Sequence, residues 1–600
     1  MRFAPAWIKP NFVPVAEKGP GSDSEAAAPT SEEIIAKDVG LSSETPARES
    51  SESEGVDPNA QTGVQKIEAT TSVWTKNQLI IAYLLIFVIY FVDSMQQQIT
   101  GALTPFVTSS FQLHSLTATT SILSQIIGGL SKLPLAKILD IWGRPQGFIV
   151  MVVFLTIGLI MMAGCNNVET YAAAQVFYWV GYNGSTYALS IFVADTSHLK
   201  NRGLMFAFAS SPYIATTWIG GPAAESFVNG AGFRWGFGTF AIVSPVIALP
   251  LFFQFVYNYR KAKKAGLMPA RESDRTMLQS IKYYAIEFDL MGLLLISGGL
   301  ALFLLPFSLY SYQSDGWRSP MIICMIVFGG FLLIAFGLWE KYWAPRKFIP
   351  WELLADRTVM GAFILAAVLF LSFYIWDSFF YSFLIVVNNQ NITHASYIFN
   401  IYSIGACFWA VIAGLYIRWR GHFKNIALYF GVPLTILGVA LMIHFRQPDQ
   451  DVGYIIMCQI FIAFAGGTLV ICEQIAAMAA ASHQYVAVVI AVEGMFSSVG
   501  GAIGNTIATA IWTGNFRDKL IEYLPPSAQG DVDAIYGDIT VQTSYAVGTP
   551  ERDAINKAYS ETQKLMLIAS TAFLALTIVS VAVWRNIQVK DFKQVRGRVA

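Results

Sequence analysis

Charged side chains are scarce in this chain. Only 13% of its 600 residues are Asp, Glu, Lys or Arg, whereas 54% are apolar and 14% are aromatic. Soluble globular domains usually carry about 25% charged residues. Many apolar runs also reach the roughly 20 residues that cross a bilayer as a helix. The composition therefore predicts an all-α membrane protein embedded in a lipid bilayer, and it excludes a string of soluble domains.

Motifs for metal, nucleotide and covalent chemistry are also missing. The 5 cysteines show no CxxC spacing, and the 6 histidines form no HxxxH or HExxH pattern, so neither a disulfide framework nor a zinc site is indicated. There is no Walker A sequence and no Gly-Lys dipeptide. No basic stripe interleaved with aromatic residues indicates nucleic acid. We predict a protein that is not an enzyme, needs no cofactor, binds no nucleic acid and uses an ion gradient instead of ATP.

Fourteen apolar runs are long enough to be transmembrane helices. If the amino terminus is cytoplasmic, the predicted inner loops hold most of the Lys and Arg residues, including a cluster at 260–282. The positive-inside rule supports this orientation, with both termini in the cytoplasm. The predicted spans are 79–103, 118–139, 147–165, 171–194, 203–225, 235–257, 288–309, 320–339, 359–387, 396–417, 425–444, 453–474, 486–512 and 565–584.

The chain divides into five predicted regions. The first 76 residues are rich in Ser, Glu, Pro and Ala, a composition that favours disorder. Two six-helix bundles follow, separated by a linker with two inserted helices. The boundaries are an arm at 1–76, an N-terminal bundle at 77–257, a cytoplasmic linker with the inserted helices at 258–358, a C-terminal bundle at 359–584 that includes an outer loop at 513–564, and a cytoplasmic tail at 585–600.

An internal repeat relates the two bundles. The sequence YFVDS at 90–94 recurs as YIWDS at 374–378, and each copy places an Asp deep in an apolar run. The second-helix ends also correspond, as AKILDIWGR at 136–144 and GLYIRWRGH at 414–422 share their spacing. Repeated halves that face each other across a midplane binding site are typical of secondary transporters. The repeat therefore favours transport.

Particular segments resemble a known family. The loop AKILDIWGRPQ at 136–146 is similar to the loop between helices 2 and 3 of the major facilitator superfamily, with Asp140, Gly143 and Arg144 matching and Ala136, Ile141 and Pro145 departing. The segments at 130–148, 193–227, 233–240 and above all 480–516 resemble the fungal siderophore-iron transporters. The resemblance implies a major facilitator fold with 14 transmembrane helices and proton-coupled uptake of ferric siderophores by alternating access. It also implies that a set of residues near the inner membrane face acts in gating. These are Asp140, Gly143, Arg144, Asp195 and Arg202.

Buried acids are the candidates for proton coupling. An ionised carboxylate at the bilayer centre costs about 2.5–3.5 kcal/mol even on the insertion scale, so each needs a role. Asp93 and Asp377 lie mid-span in the repeat, and the sequence leaves a structural ion pair and proton coupling open for both. Glu473 and Glu493 are further candidates, with an interfacial position as the alternative.

A ferric siderophore as substrate would need a wide cavity lined by polar and aromatic side chains. A ferric siderophore already satisfies its iron with hydroxamate or catecholate oxygens, so the protein need not supply metal ligands. Packing and interfacial belts are the alternative roles for the aromatic residues. Lys132, within a predicted span, could pair with an acid or hold part of the substrate's charge. The cavity candidates are Gln96, Gln97, Lys132, Tyr182, Asn183, Tyr187, Tyr374, Trp376, Tyr381, Tyr545 and Tyr559.

Two other functions compete with siderophore uptake. One is a proton antiporter that exports drugs or glutathione, and the other is a receptor or nutrient sensor that does not transport. The long outer segment favours uptake, because an exporter has no use for an elaborated outer loop. The sequence favours the plasma membrane over an endosomal or vacuolar membrane.

The outer segment at 513–564 is the last feature that the sequence singles out. It holds a short amphipathic run at 516–524, stopped by Pro525, and a second helix-like stretch at 551–565. Loops of this length are usually functional or disordered, so we predict an ordered lid over the substrate, with a simple packed cap as the alternative. The sequon at Asn391 is predicted to lie outside and carry a glycan, whereas Asn183, also in a sequon, is predicted to be buried and unmodified.

Overall fold

The structure is a computed structural model that describes residues 69–110, 126–267, 277–345, 354–481 and 486–590, apart from positions 71, 142, 288, 311–312, 391 and 538. Within these ranges, every regular element is a helix. Ten of the described helices are long and apolar enough to cross a bilayer. The predicted all-α membrane fold is confirmed.

Seven of the described helices lie in the first half of the chain and pack against one another. Asn167 caps the fourth helix by accepting a hydrogen bond from the backbone N–H of Thr170 at 2.8 Å, which satisfies a donor that the helix itself leaves free. The predicted span at 203–225 is two helices, interrupted next to Pro212, which has no N–H to donate. The helices are α1 (Lys76–Ser110), α2 (Lys132–Ile141), α3 (Arg144–Gly164), α4 (Val168–Asp195), α5 (Leu199–Ser210), α6 (Tyr213–Asn229) and α7 (Phe233–Lys264).

The linker and the inserted helices follow. A short helix joins α7 to the inserted pair, whose members pack against each other. Only 11% of the most apolar stretch of the second inserted helix is buried within the protein. Lipid must therefore cover most of this helix. The pair therefore lies at the periphery. Its elements are α8 (Met277–Glu287), α9 (Leu290–Leu304), α10 (Pro306–Leu309) and α11 (Pro320–Leu338), the last continued by a π-helical turn at Trp339–Trp343.

In the second half, the described elements from Arg357 onward are again all helices. Two candidate spans of this half, which begin at Val452 and Val488, are the most enclosed of the ten. In each of them, 67% of the most apolar stretch is buried within the protein. The elements are α12 (Arg357–Asp377), α13 (Phe380–Val386), α14 (Ile392–Phe399), α15 (Ile401–Arg420), α16 (Lys424–Ile426), α17 (Val432–Phe445), α18 (Val452–Ala480), α19 (Val486–Tyr523), α20 (Val532–Gly537), α21 (Ile539–Ser544) and α22 (Pro550–Ala582).

Ten of the fourteen predicted spans coincide with these long apolar helices. The predicted spans at 171–194, 203–225 and 288–309 are also largely helical, and part of the span at 118–139 lies outside the described residues. The outer segment differs from its prediction in one respect. α19 runs on to Tyr523 and α22 begins at Pro550, so the connection between these helices is about half as long as predicted. The helix continues because nothing breaks it before Pro525, and Thr549 caps the start of α22 through the N–H of Arg552. We call residues 513–564 the cap.

The two halves contact each other in two regions. In the first, α5 and α6 pack on α15 and α5 also packs on α18; in the second, α2 and α4 pack on α19. At the first contact a Cβ atom on Gly414 would lie 2.9 Å from the backbone of Leu204, so only glycine allows this approach. Small residues permit such close packing of membrane helices. These two contacts join residues that are hundreds of positions apart.

Candidate functional site

A network of glutamine and tyrosine side chains connects three helices of the first half. Gln97 on α1 accepts hydrogen bonds from the hydroxyls of Tyr182 on α4, at 3.1 Å, and Tyr213 on α6, at 2.9 Å. The two tyrosine hydroxyls also contact each other. The preceding residue, Gln96, donates to Thr100 at 2.8 Å and accepts from Tyr178 at 3.3 Å. Tyr213 was not among the predicted site residues, because neither the internal repeat nor a buried charge singles it out.

Asp93 lies on the same helix, one turn before Gln97. It is only 5% exposed. Among the described residues, no hydrogen bond or ion pair to its carboxyl group is observed. Its neighbour Ser94 bonds to Thr216 at 2.9 Å and so ties α1 to α6. Asp93 is therefore a carboxyl group held in the interior without a compensating cation in the described part of the chain.

Asp377, its counterpart in the repeat, has a different environment. It is the last residue of α12 and is partly exposed. Arg446, which follows α17, is fully buried and interacts electrostatically with Asp377. The guanidinium donates to the carbonyl of Trp376 at 2.7 Å and lies 4.3 Å from the ring centre of Phe380. The two aspartates therefore have different environments, although the sequences around them match.

Arg446 is a further residue that the sequence analysis did not single out. It lies in the connection that follows α17, and its side chain is completely buried. Two of its nitrogens, Nε and Nη2, have no hydrogen-bond partner among the described residues. The helix α12 ends close to it, and a cation is favourable beside the carbonyls of a helix C-terminus. The available signal was that Arg446 is one of few cations near the predicted outer ends.

The remaining cavity candidates divide by exposure. Gln97, Asn183, Tyr374 and Tyr381 are partly exposed and can line an internal space. Asn183 donates to the carbonyl of Trp179 at 2.9 Å within α4. Others are nearly enclosed in this conformation, with exposures of 7% or less. The enclosed members are Gln96, Tyr182, Tyr187, Trp376 and Tyr559.

The cap candidates lie in one packed unit attached to the second half. Tyr559 donates to Gln542 at 2.8 Å and packs edge-on against Trp512 and Phe516. Tyr545 lies nearer the surface and donates to Asp531 at 3.3 Å. The cap is thus ordered, and Tyr559 is one of its core residues.

The gating candidates partly come together. Arg144 at the start of α3 forms a buried ion pair with Asp195 at the end of α4, with Nε 3.1 Å from Oδ2. Gly143 precedes Arg144 with a φ of 117°, a value that favours glycine. Arg202 donates to the carbonyl of Ala194 at 2.9 Å. The side chain of Asp140 lies outside the described residues, as does Asn391.

Arg202 also connects the halves, since its Nη1 lies 3.6 Å from the sulfur of Met478 on α18. A second connection involves Lys132 on α2, whose side chain lies against Gly494 on α19. Glu493 interacts electrostatically with Lys132, and the carboxyl group of Glu473 lies beside that of Glu493. The sequence left the surroundings of Lys132 open, and the structure places its Nζ against Gly494, the neighbour of Glu493.

No metal centre accompanies these groups. Within the described ranges, no set of three or more His, Cys, Asp or Glu side chains is placed to hold a metal ion. Hydrogen-bonding, aromatic and isolated charged groups make up the site, and these can bind a preformed chelate without ligating its metal.

Comparison with known proteins gives consistent results. The sequence profile of the Major Facilitator Superfamily matches residues 84–505. The chain is 67% identical over 541 residues to MFS siderochrome iron transporter 1 of Ajellomyces capsulatus, covering 90% of this chain and 92% of that protein. It is 44% identical to siderophore iron transporter mirB of Emericella nidulans, over 90% of each chain. It is 46% identical to siderochrome iron transporter 2 of Aspergillus fumigatus, over 89% and 88% of the two chains. Each of these similarities extends through both halves.

Proposed function

Because this chain belongs to the siderochrome iron transporters of the major facilitator superfamily, we propose that it takes up ferric siderophores together with protons by alternating access. The cargo enters as an intact chelate from outside the cell. The proposed membrane is the plasma membrane, with both termini in the cytoplasm. The predicted division into arm, two bundles, inserted pair and tail is part of this proposal.

The observation that carries the proposal is the Gln97–Tyr182–Tyr213 network. It offers hydrogen-bond donors and acceptors beside aromatic faces, in a bundle of otherwise apolar helices. A ferric chelate presents carbonyl and N–O oxygens at its surface, which such groups recognise without removing the iron. Tyr374 and Tyr381 supply matching groups from the second half. A ferric chelate held between the halves is released when the halves separate on the opposite side of the membrane.

Alternating access requires contacts that form and break between the halves. The Arg144–Asp195 ion pair and Arg202 lie near the contact of α5 with α15 and α18. We assign the gating role to this group, since the ion pair stiffens the end of α4 and Arg202 then reaches Met478 across the interface. Breaking the contact opens that side of the transporter.

Proton coupling is assigned to Asp93 and Asp377. A proton that moves inward down 100 mV releases about 2.3 kcal/mol, and each pH unit adds about 1.4 kcal/mol. One proton is therefore enough for roughly hundredfold accumulation of a neutral load. Asp93 suits this task because burial favours its neutral form until water reaches it. Asp377 exchanges its proton in the electrostatic field of the positively charged Arg446.

The test is transport by purified full-length protein in liposomes with an imposed pH gradient. Radiolabelled iron bound to a trihydroxamate, the same label bound to a catecholate, and glutathione are compared as loads. We expect gradient-driven accumulation of at least one iron chelate and none of glutathione. Accumulation of glutathione alone, or of no load at all, would contradict the proposed function.

Variants of the two aspartates test whether these residues couple protons to transport. Asp93→Asn and Asp377→Asn are each expected to lower gradient-driven accumulation far more than exchange of load at equal pH, because exchange needs no net proton movement. Asp533→Asn, an exposed cap residue, is the matched control. Wild-type accumulation in both single variants would remove Asp93 and Asp377 from the mechanism.

A further inference from the structure

A groove opens on the surface of the second half, where α15 runs beside the chain that leads into α17. Its volume is about 360 Å³, and pockets that bind small molecules usually measure about 300–1,000 Å³. It contains no residue of the proposed substrate or gating sites, and all but one of its lining side chains are aromatic or aliphatic. The lining residues are Trp409 and Tyr416 on α15, Asn425 and Ile426 on α16, and Tyr429 and Phe430 in the π-helical turn Ala427–Gly431 that joins α16 to α17.

The helix α18 holds the deep wall of the groove in place. The Trp409 ring stacks on Phe464 of α18, with 4.3 Å between the ring centres, and on Phe430, with 5.5 Å. Its indole N–H also donates to the hydroxyl of Thr468 at 3.0 Å. Tyr429, by contrast, is 75% exposed, and π-helical turns are often found at functional sites. The groove is therefore preformed, and it is open on the side that faces the lipid.

The groove has the depth of one lipid leaflet. Trp409, Tyr416 and Arg420 lie on one face of α15, because they are seven and four residues apart. Between Trp409 and Arg420 the helix rises about 16 Å at 1.5 Å per residue, which is about half of the roughly 30 Å hydrocarbon core. Arg420 ends α15, and its exposed guanidinium lies 4.9 Å from the ring centre of Trp419. The groove thus runs from a cation toward the middle of the bilayer.

The charge around the outer end of the groove is positive. No Asp or Glu occurs in the sequence from Ile401 to Pro448. Lys424, whose ammonium donates to two carbonyls at the end of α22, adds to the charge of Arg420. This end of α15 is cytoplasmic in the proposed orientation, and the cytoplasmic leaflet carries the anionic lipids. A phosphate group can accept hydrogen bonds from Arg420 and from the exposed amide of Asn425. A sterol offers no anion to this cation, so the charge favours a phospholipid.

We infer that the groove binds one anionic phospholipid of the cytoplasmic leaflet, with an acyl chain along Trp409 and the headgroup at Arg420. The bound lipid supports α15 on one face, while Gly414 on another face of the same helix packs on Leu204 of the first half. The inference rests on the proposed orientation of the chain and goes beyond the transport of iron chelates.

Lipid binding is measured on the purified full-length protein by native mass spectrometry, with phosphatidylserine and phosphatidylcholine that have identical acyl chains. One basic residue at a membrane surface changes the affinity for an anionic lipid about fivefold. Arg420→Gln should therefore weaken the binding of phosphatidylserine about fivefold and leave the binding of phosphatidylcholine unchanged. Arg418→Gln is the matched control, because Arg418 is also exposed on α15 but lies on the opposite face of the helix. It should keep both affinities within twofold of the wild type.

A second variant closes the groove without changing its charge. Ile426→Trp places a larger side chain in the space beside Trp409. A phosphatidylserine with a photoreactive group at the end of its acyl chain should label peptides that contain Trp409 or Phe430 in the wild type, and this labelling should fall at least tenfold in Ile426→Trp. If Ile426→Trp does not reach the membrane, the comparison of Arg420→Gln with Arg418→Gln decides, since both change exposed side chains.

Three results would each overturn the lipid site. They are equal affinity of the wild type for the two phospholipids, equal losses of phosphatidylserine binding in Arg420→Gln and Arg418→Gln, and displacement of the photoreactive lipid from the groove by a sterol but not by phosphatidylserine. None of these results bears on the uptake of iron chelates, which the liposome assay tests separately.

Discussion

Arg552 fastens the cap to the second half, and replacing it should release the cap. The side chain is only 2% exposed. Its Nε and Nη2 donate to the carbonyl of Val386, the last residue of α13, at 3.2 and 2.8 Å. Its Nη1 donates to the carbonyls of Gln542 and Tyr545 at 2.8 and 3.1 Å. One guanidinium thus joins the cap to the end of a transmembrane segment.

The expected cost follows from these contacts. Arg552→Met leaves three carbonyls without their donor, and each unsatisfied buried acceptor costs about 1–2 kcal/mol. The sum of about 3–6 kcal/mol is reduced because methionine avoids the burial of a charge, so the net loss is about 2–4 kcal/mol. This loss falls on the docking of the cap, since the transmembrane helices keep their other contacts.

Hydrogen–deuterium exchange of the purified protein measures this loss locally. A reduction of about 3 kcal/mol in the free energy of local opening accelerates exchange roughly a hundredfold. The acceleration should be confined to peptides from 524–549. Arg517→Met is the control, because Arg517 is 46% exposed and pairs with the exposed Asp533, an interaction worth less than about 1 kcal/mol. Equal exchange of the cap in the two variants would refute the anchoring role of Arg552.

Two further predictions concern the outer surface. Replacing residues 543–549 with a Gly/Ser linker of equal length should lower the apparent affinity for the ferric chelate while surface expression stays normal; unchanged affinity and uptake would make the cap a connector only. Glycan mapping should find a glycan at Asn391 and none at Asn183, which lies inside α4 and bonds to Trp179; a glycan at Asn183 would contradict the order of the spans.

Local patterns in the sequence were enough for the fold class. A run of apolar residues long enough to cross a bilayer becomes a helix because its backbone groups must be satisfied within the segment. Ten of the predicted spans therefore coincide with long apolar helices. The repeat at Asp93 and Asp377 was also visible, and the resemblance named Arg144 and Asp195, which form an ion pair, as gating candidates. The amphipathic run at 516–524 was predicted, but its continuity with the preceding span in α19 was not, because the end of the apolar run was taken as the end of the helix.

The partners of the buried charges could only come from the tertiary structure. Lys132 lies against Gly494 because α2 packs on α19, a contact between residues more than three hundred positions apart. Asp93 and Asp377 occupy equivalent sequence positions, yet only Asp377 faces an arginine, since α17 ends beside α12. Hydropathy determines whether a segment enters the bilayer. It does not depend on how the helix is rotated about its axis or on which helices surround it. Which side chains face each other is decided by interhelical packing, where a single glycine allows or forbids the approach.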